Sequence, residues 1–354
     1  MRNEDIARSQ MGKADITEQD IVWLDIKEAP FVIHGVSYDS EQGRYIRMPQ
    51  EIADQVSVAV AELNTETAGG RVRFRTDSSF IGIRAVMQNG TLMPHITLAG
   101  QSGFDLYRKK DGETKEVFYH TYVPPMGMQT GYCSPFETDG VMAEYTIHFP
   151  LYDGVKELYI AVKKDAQLLA PIPYRHPVPV VYYGSSITQG GCASRPGNSY
   201  QAIISRQLNV DHINLGFSGS AKAEPAIVEY LAGLEMSVFV CDYDHNTPDA
   251  EYLRQTHMPL YRAVRASHPE IPIVFVTAPD IVLRPEAYAE RREVIRQTYQ
   301  TALQEGDKNV YFIDGAELWA REQFDSCTVD GVHPNDFGFY RMAQRIGREL
   351  APLL

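Results

Sequence analysis

Cysteine is scarce: Cys133, Cys192, Cys241 and Cys327 are the only four in 354 residues. No two of them form a CxxC pair and none falls at zinc-ligand spacing, which excludes a zinc ribbon and a disulfide-stapled scaffold. Cys241 lies within the apolar run 238–241 and is expected in the core, and all four are read as reduced thiols. Long apolar runs are missing as well. The longest, such as 271–278, fall far short of the roughly 18 residues a membrane span needs. The opening Met-Arg-Asn-Glu-Asp-Ile has no apolar stretch behind its charge, so a secretory leader is not expected and the expected compartment is the cytoplasm. Positive charge is in deficit, with 33 Lys and Arg against 46 Asp and Glu, a net charge of −13. No basic run exceeds short pairs such as Lys109–Lys110. Repulsion from phosphate therefore argues against nucleic acid and anionic membrane surfaces as partners. With 26 Gly and 21 Pro the chain is also too poor in both for a fibrous or low-complexity protein.

What is present is an ordinary globular composition, 44% hydrophobic and 22% charged, in a length that corresponds to about two domains. Residues 1–170 read as mostly β. Arg71-Val-Arg-Phe-Arg75 alternates apolar residues with arginines, as a strand with one wet face would. Val56, Val58 and Val60 repeat that period, as do Ile81 with Ile83 and Ile96 with Leu98. Further strands are expected over 116–123, 144–149 and 157–162. Turn signals separate them at Gly69-Gly70, Asn89-Gly90, Asp111-Gly112, Asp139-Gly140 and Asp153-Gly154. Many short strands at such spacing predict an all-β sandwich of the jelly-roll kind. Residues 171–179 contain four prolines, which suit neither a helix nor a central strand, and are read as a linker.

From residue 177 to 354 the pattern becomes α/β. Val178–Tyr183 is a continuous apolar run, as in a strand buried on both faces. Strands at 212–215, 237–241, 271–277 and 310–313 then alternate with helices at 199–208, 225–234, 250–267, 286–305 and 337–350. Such alternation implies a parallel sheet with helices on both faces, whose ligand sites lie at the carboxyl ends of the strands.

Those ends carry the chemistry. The first strand runs into Gly184-Ser-Ser186-Ile-Thr188-Gln-Gly190. This is neither a dinucleotide fingerprint nor a phosphate loop with its lysine, and Thr188 breaks the GxSxG elbow. A serine at a sharp strand end can still be a nucleophile, with a simple hydroxyl-bonded turn as the bland alternative. The second strand runs into Gly216-Phe-Ser-Gly219, whose glycines let backbone N–H groups approach a ligand. The third ends in Asp242-Tyr-Asp244-His245-Asn246-Thr247. This begins like a calcium loop but has Thr247 where the glycine must be and Leu253 where the glutamate must be, so calcium is rejected. After the fifth comes Asp330-Gly-Val-His333, in which a carboxylate three residues before an imidazole can bond its Nδ1–H and leave Nε2 as a base. Each segment alone is weak. Together they place a nucleophile, oxyanion donors, a base and its orienter on one sheet edge, a full set for acyl transfer.

In this order the four segments resemble the SGNH/GDSL hydrolases, and Gly103-Phe-Asp105-Leu-Tyr107 resembles the GxDLY signature of a β-sandwich found ahead of one subfamily. The resemblance implies a flavodoxin-like three-layer catalytic domain with a parallel sheet, preceded by the sandwich. It implies Ser186 as nucleophile, His333 as base and Asp330 as its orienter. The oxyanion hole would be formed by Ser186, Gly219 and Asn246, with no metal and no cofactor. The sequence departs from the family pattern in two places: Ser185 and Ile187 flank the nucleophile in place of Asp and Leu, and Asp244-His-Asn246-Thr replaces the usual Gly-x-Asn-Asp.

The expected activity is a serine esterase acting on small O-acyl esters, acetyl foremost, of carbohydrate-type alcohols. The alternatives are an acyltransferase using the same acyl-serine and a non-catalytic carbohydrate-binding protein. His245, Arg284, Met126 and Tyr132 are candidate substrate contacts, the last two from the loop 123–132. Cys192 and Cys327 lie on loops at the same edge and are read as free thiols, with a disulfide or a substrate contact as the alternative, and His257 is read as structural. The acyl chain length and the oligomeric state, monomer or homo-oligomer, stay open.

Overall fold

The computed structural model of the chain describes residues 16–88, 92–319 and 323–354. The turn expected at Asn89-Gly90 and the N-terminal stretch lie outside these residues. Two compact units emerge. The first comprises the chain up to Arg47, Thr65–Pro173 and Ser194–Gly197; the second comprises Met48–Asn64, Tyr174–Ala193 and Asn198–Leu354.

The first unit is built from strands β1 (Ile21–Asp25), β2 (Val32–His34), β3 (Ser37–Asp39), β4 (Arg44–Ile46), β5 (Arg71–Thr76), β6 (Ile81–Met87), β7 (Phe104–Lys110), β8 (Val117–Tyr122), β9 (Gly131–Ser134), β10 (Ala143–His148), β11 (Val155–Lys163) and β12 (Leu168–Leu169). They form one antiparallel sheet in the order β1-β11-β6-β9 and another in the order β12-β5-β10-β7-β8, with β2 also on β5. Period-two alternation aims Val72, Phe74, Tyr145 and Ile147 of one sheet and Ile83, Ala85, Leu158 and Ile160 of the other into one shared core.

The face opposite the core in β5 is not wet as the alternation implies. Arg71 and Arg73 are buried, and Arg73 meets the buried Glu144 at 2.7 Å. A guanidinium that carries its own partner can occupy a position that alternation alone assigns to water. Nor is Ile96-Thr-Leu98 a strand. Thr97 accepts the N–H of Gly100 and caps the short helix over Leu98–Ser102.

The GxDLY segment has a visible job in this unit. The Asp105 carboxylate is fully buried and accepts from Arg195 Nη1 at 2.9 Å and from the Gly197 N–H at 2.8 Å, with His148 Nδ1 at 2.9 Å. The Tyr107 hydroxyl reaches the Gly197 carbonyl at 3.4 Å. The motif thus holds the short excursion 194–197 within the sandwich unit by charge-assisted bonds.

In the second unit β13 (His176–Gly184), β14 (Val210–Gly216), β15 (Val238–Asp242), β16 (Ile273–Val276) and β17 (Val310–Ile313) form a parallel sheet in the order β14-β13-β15-β16-β17. The helices here are α1 (Gln50–Val56), α2 (Val58–Leu63), α4 (Ser186–Gln189), α5 (Tyr200–Leu208), α6 (Pro225–Gly233), α7 (Ala250–Ser267), α8 (Pro285–Gln304) and α9 (Asp336–Leu350), with α3 being the Leu98–Ser102 helix of the first unit. Val181, Tyr183, Phe239, Cys241, Ile273 and Phe275 share a core with Ile227 and Leu231 of α6, Leu253 and Leu260 of α7, and Val294 and Ile295 of α8. On the other face Tyr182 meets Tyr200 of α5 edge-on, and Tyr200 stacks on Phe339 of α9. This is the three-layer doubly wound arrangement, in which a ligand crevice opens where the strand order reverses, at the carboxyl ends of β13 and β15.

Two expectations about chain organisation change. The segment with Val56, Val58 and Val60 is helical and belongs to the second unit. Its Gln, Glu, Ala and Leu are good helix formers, and Ser57, which ends α1, accepts the Val60 N–H and starts α2. Val56 at the end of α1 and Val60 in α2 both pack into the sheet core, with Met48 and Ala53. Asn64 closes the excursion by accepting the Met48 N–H and donating to the Met48 carbonyl, both at 2.9 Å. The proline-rich stretch is also not wholly a linker, because β13 begins at His176. Pairing with β14 skips from His176 to Val180, so Pro177 and Pro179 sit where the ladder asks for no N–H. Among the described residues no helix is long and apolar enough to cross a membrane.

Candidate active site

The predicted residues converge at the carboxyl edge of the parallel sheet. Ser186 comes two residues after the end of β13, and the intervening Ser185 caps the turn that Ser186 opens by accepting the Ile187 N–H. Gly184 is dictated by space: a Cβ there would stand 1.6 Å from Asp242 Oδ1. Ser186 Oγ lies 2.9 Å from His333 Nε2, and His333 Nδ1 lies 2.7 Å from Asp330 Oδ2. The Asp330–His333 turn is compact because the other carboxylate oxygen, Oδ1, accepts the N–H groups of Val332 and His333 at 3.0 and 2.8 Å. Partial burial opposes the charge on Asp330, but the His333 ring and these two N–H groups outweigh it and hold the carboxyl down at about 2. A hydroxyl, an imidazole and an ionised carboxylate in series can pass a proton from oxygen to ring nitrogen and stabilise the imidazolium so formed.

Gly219 takes φ +68, a backbone shape that favours glycine, with open space where a side chain would be. Its N–H donates to no described residue. Asn246 ends the one-turn segment Asp244–Asn246 after β15, and its Oδ1 accepts the Ala221 N–H at 3.3 Å. The loop bearing Gly219 and the turn bearing Asn246 are thereby tied together. The Asn246 amide NH₂ is left without a hydrogen-bond partner among the described residues.

Sequence reasoning missed the frame that holds these loops. Gln189 Oε1 accepts the Ser218 N–H at 2.9 Å, and Asn214 and Gln201 both donate to the Thr188 carbonyl. The Thr188 hydroxyl bonds the fully buried Asp242, which also accepts from the Tyr200 hydroxyl at 3.1 Å. Burial pushes the Asp242 carboxyl up to about 7 against the pull of the two hydroxyls. The one sequence signal was the run of polar residues in otherwise apolar segments: Thr188, Gln189, Gln201, Asn214 and Asp242.

Of the candidate substrate contacts, Tyr132 is corrected. It is buried in the sandwich core, where its hydroxyl donates to the Tyr122 carbonyl at 3.0 Å, so it has no free face. Its large apolar ring won over its place at the loop end. Met126 lies on an exposed loop of the first unit. The His245 side chain is 7% exposed, with Nε2 3.1 Å from Asp280 and Nδ1 3.2 Å from the Tyr288 hydroxyl. Arg284 is exposed, and its guanidinium lies beside Gly331, within 3.4 Å of where a side chain on that glycine would begin. Cys192 and Cys327 are buried free thiols. Cys192 Sγ lies within 4.8 Å of a His333 ring nitrogen. Burial, and after it the Asp330 carboxylate, pushes the Cys192 thiol up to about 12. His257 is buried against Phe275, its pKa lowered to about 3 by burial.

A doubly wound α/β unit with a serine, a histidine and an aspartate hydrogen-bonded in series at its switch point has the form of a serine hydrolase. Comparison with known proteins agrees. Residues 177–351 match the model of the GDSL-like Lipase/Acylhydrolase family, and residues 21–168 match that of the N-terminus of Esterase_SGNH_hydro-type proteins. The chain belongs to the SGNH/GDSL hydrolases of the GxDLY type and is a carboxylic ester hydrolase. No curated protein sequence matches it. Among solved structures it is similar to one designated a GDSL-like lipase from Bacteroides ovatus, 28% identical over 94% of this chain and 98% of that one, with a TM-score of 0.82. It is also similar in fold to a salicylyl-acyltransferase from a tetracycline biosynthetic pathway, 19% identical over 95% of this chain and 98% of that one, TM-score 0.76. A family two carbohydrate esterase from Clostridium thermocellum, in complex with cellohexaose, is 15% identical over 91% of this chain and 98% of that one, TM-score 0.59.

Proposed function

We propose that the protein hydrolyses small O-acyl esters, acetyl foremost, through an acyl-serine intermediate. The observation that carries this reading is the unbroken series Ser186 Oγ–His333 Nε2 at 2.9 Å and His333 Nδ1–Asp330 at 2.7 Å. His333 takes the Ser186 proton as Oγ attacks the ester carbonyl, and Asp330 fixes the tautomer and balances the imidazolium. The Gly219 N–H, the Ser186 N–H and the Asn246 amide hold the oxyanion. His333 then protonates the departing alcohol, and water repeats the sequence on the acyl-serine, which releases the carboxylic acid. Acetylated carbohydrate is the preferred substrate, because proteins of this fold include an esterase crystallised with a cello-oligosaccharide.

The test is labelling by a fluorophosphonate, followed by rates on p-nitrophenyl esters from acetate to octanoate and then on acetylated sugars. Stoichiometric labelling that vanishes in Ser186→Ala, with rates falling as the acyl chain lengthens, is the expected result. Labelling that survives Ser186→Ala overturns the assignment of the nucleophile. Transfer to an added alcohol that outpaces hydrolysis makes the protein an acyltransferase on the same serine.

A further inference from the structure

Next to Asn246 lies a buried group of charges that the hydrolytic steps above do not use. His245 is enclosed, with Nε2 3.1 Å from the Asp280 carboxylate and Nδ1 3.2 Å from the Tyr288 hydroxyl. Asp280 belongs to the turn Pro279–Val282 after β16, and Tyr288 to α8. The neighbouring Asp244 is also buried and accepts the Ala278 N–H at 3.0 Å. Arg291 of α8 donates to the carbonyls of Thr247 and Pro248 at 2.9 and 3.0 Å and so grips the far side of the same turn. The groups around the imidazole are therefore the Asp242, Asp244 and Asp280 carboxylates, the Tyr288 phenol and, further out, Arg284 and Arg291. Three buried acids beside one imidazole cost more than a turn needs for shape alone. What they surround is the residue immediately before Asn246, whose carbonyl oxygen is already committed to Ala221 and whose amide is the free group.

We propose that His245, pinned between Asp280 and Tyr288, is a positioning residue that fixes the aim of the Asn246 amide at the acyl oxygen. Burial works to discharge the imidazole, but Asp280 and then Asp244 outweigh it and raise its pKa above the ordinary histidine value. The His245–Asp280 contact locks the one-turn segment from below while Ala221 locks the Asn246 side chain from the side. The departure from the usual Gly-x-Asn-Asp pattern then has a purpose: a rigid turn bonded to Asp280 replaces a glycine turn. This proposal rests on Asn246 being an oxyanion donor.

The experiment is a double-mutant cycle on p-nitrophenyl acetate with His245→Gln, Asn246→Ala and the double variant, reading kcat and KM separately alongside thermal melting. Asn246→Ala is expected to lower kcat about 10²- to 10³-fold. His245→Gln is expected to lower kcat about 10- to 100-fold with KM nearly unchanged, and to cost less than about 3-fold once Asn246 is alanine. An equal cost of His245→Gln in both backgrounds overturns the positioning role and leaves Asn246 as a donor. A cost for Asn246→Ala below about 10-fold removes the donor reading and the proposal with it. Should His245→Gln fail to fold, Tyr288→Phe, which deletes one hydroxyl at the same imidazole, takes its place in the cycle and is read by the same criteria.

Discussion

Replacing Asp330 by asparagine alters one atom and should reverse the proton logic of the site. Asp330 uses both oxygens: Oδ1 accepts two backbone N–H groups, and Oδ2 accepts His333 Nδ1–H. Asparagine has a single carbonyl oxygen. If that oxygen keeps the two N–H groups, the NH₂ faces Nδ1 and can bond it only when Nδ1 carries no proton. The ring proton then moves to Nε2, which faces Ser186 Oγ at 2.9 Å and can no longer accept from it. The base is lost although every atom of the ring stays in place. The expected fall in kcat is about 10³- to 10⁴-fold, equivalent to about 4–5.5 kcal/mol in the barrier. The assay is p-nitrophenyl acetate hydrolysis near neutral pH, with fluorophosphonate labelling as a direct measure of serine reactivity. Both should fall together while KM barely moves. Thermal stability at neutral pH should change little, because the Asp330 side chain is 37% exposed and the pair is screened. Since the folded pKa of Asp330 is depressed, its stabilising contribution is present above the ordinary carboxylate range and fades only as pH falls through about 2. A folded Asp330→Asn protein that keeps more than about a tenth of its activity would refute the argument.

Asp242 makes the opposite acid–base prediction. Its folded pKa is raised to about 7, so the folded state loses stability as pH climbs from the unfolded carboxylate value to about 7 and gains it back on acidification. Asp242→Asn should therefore compare more favourably with the unmutated protein at pH 8 than at pH 5, by about 2.5 kcal/mol in urea unfolding, and equal effects at both values would contradict the burial argument. Gly184→Ala should drive a methyl group into Asp242 and Thr188 and lower stability by at least about 3 kcal/mol, seen as a loss of soluble folded protein; normal expression with an unchanged melting temperature would refute it. Cys192 stands close to His333, yet with its pKa at about 12 only roughly one part in 10⁴ is thiolate at pH 8. Iodoacetamide at that pH should leave esterase activity intact over hours, and rapid inactivation with Cys192 modified would show the thiol to be exposed and charged.

The sequence was most legible where one residue type does one job. A buried parallel strand must be apolar on both faces, so β13, β15 and β16 stand out as runs, and the groups after them can be found by looking at the strand ends. Asp330 and His333 were readable because three residues is the spacing a single turn can close. The readable pattern failed where two physical demands share a segment. In 56–60 a valine alternation competed with the helix preference of Gln50–Asp54 and the capping of Ser57, and the helices won because they cover the core of the second unit. In 71–75 alternation identified the strand but not the environment of the arginines, since their partners lie far along the chain, as Glu144 does for Arg73. His245 and Tyr132 were assigned to substrate from their place in sequence. Burial of each depends on Asp280, Tyr288, Tyr122 and Ser102, which no local pattern brings near.

The excursions 48–64 and 194–197 also set a schedule for synthesis. Met48, Ala53 and Val60 leave the ribosome long before β13, the first strand of the sheet core they join, exists. Asp105 likewise waits for Arg195 and Gly197, which arrive only after the first strand and the Ser186 turn of the other unit. The sandwich unit cannot finish its interior until residues 194–197, past the first strand of the other unit, have been made, and the sheet unit cannot finish its own until the last strand and helix have followed. Recombination faces the same constraint. A crossover at the proline-rich stretch would strip the sheet unit of two helices and leave the sandwich with a buried carboxylate lacking its arginine, so the two halves must be inherited together.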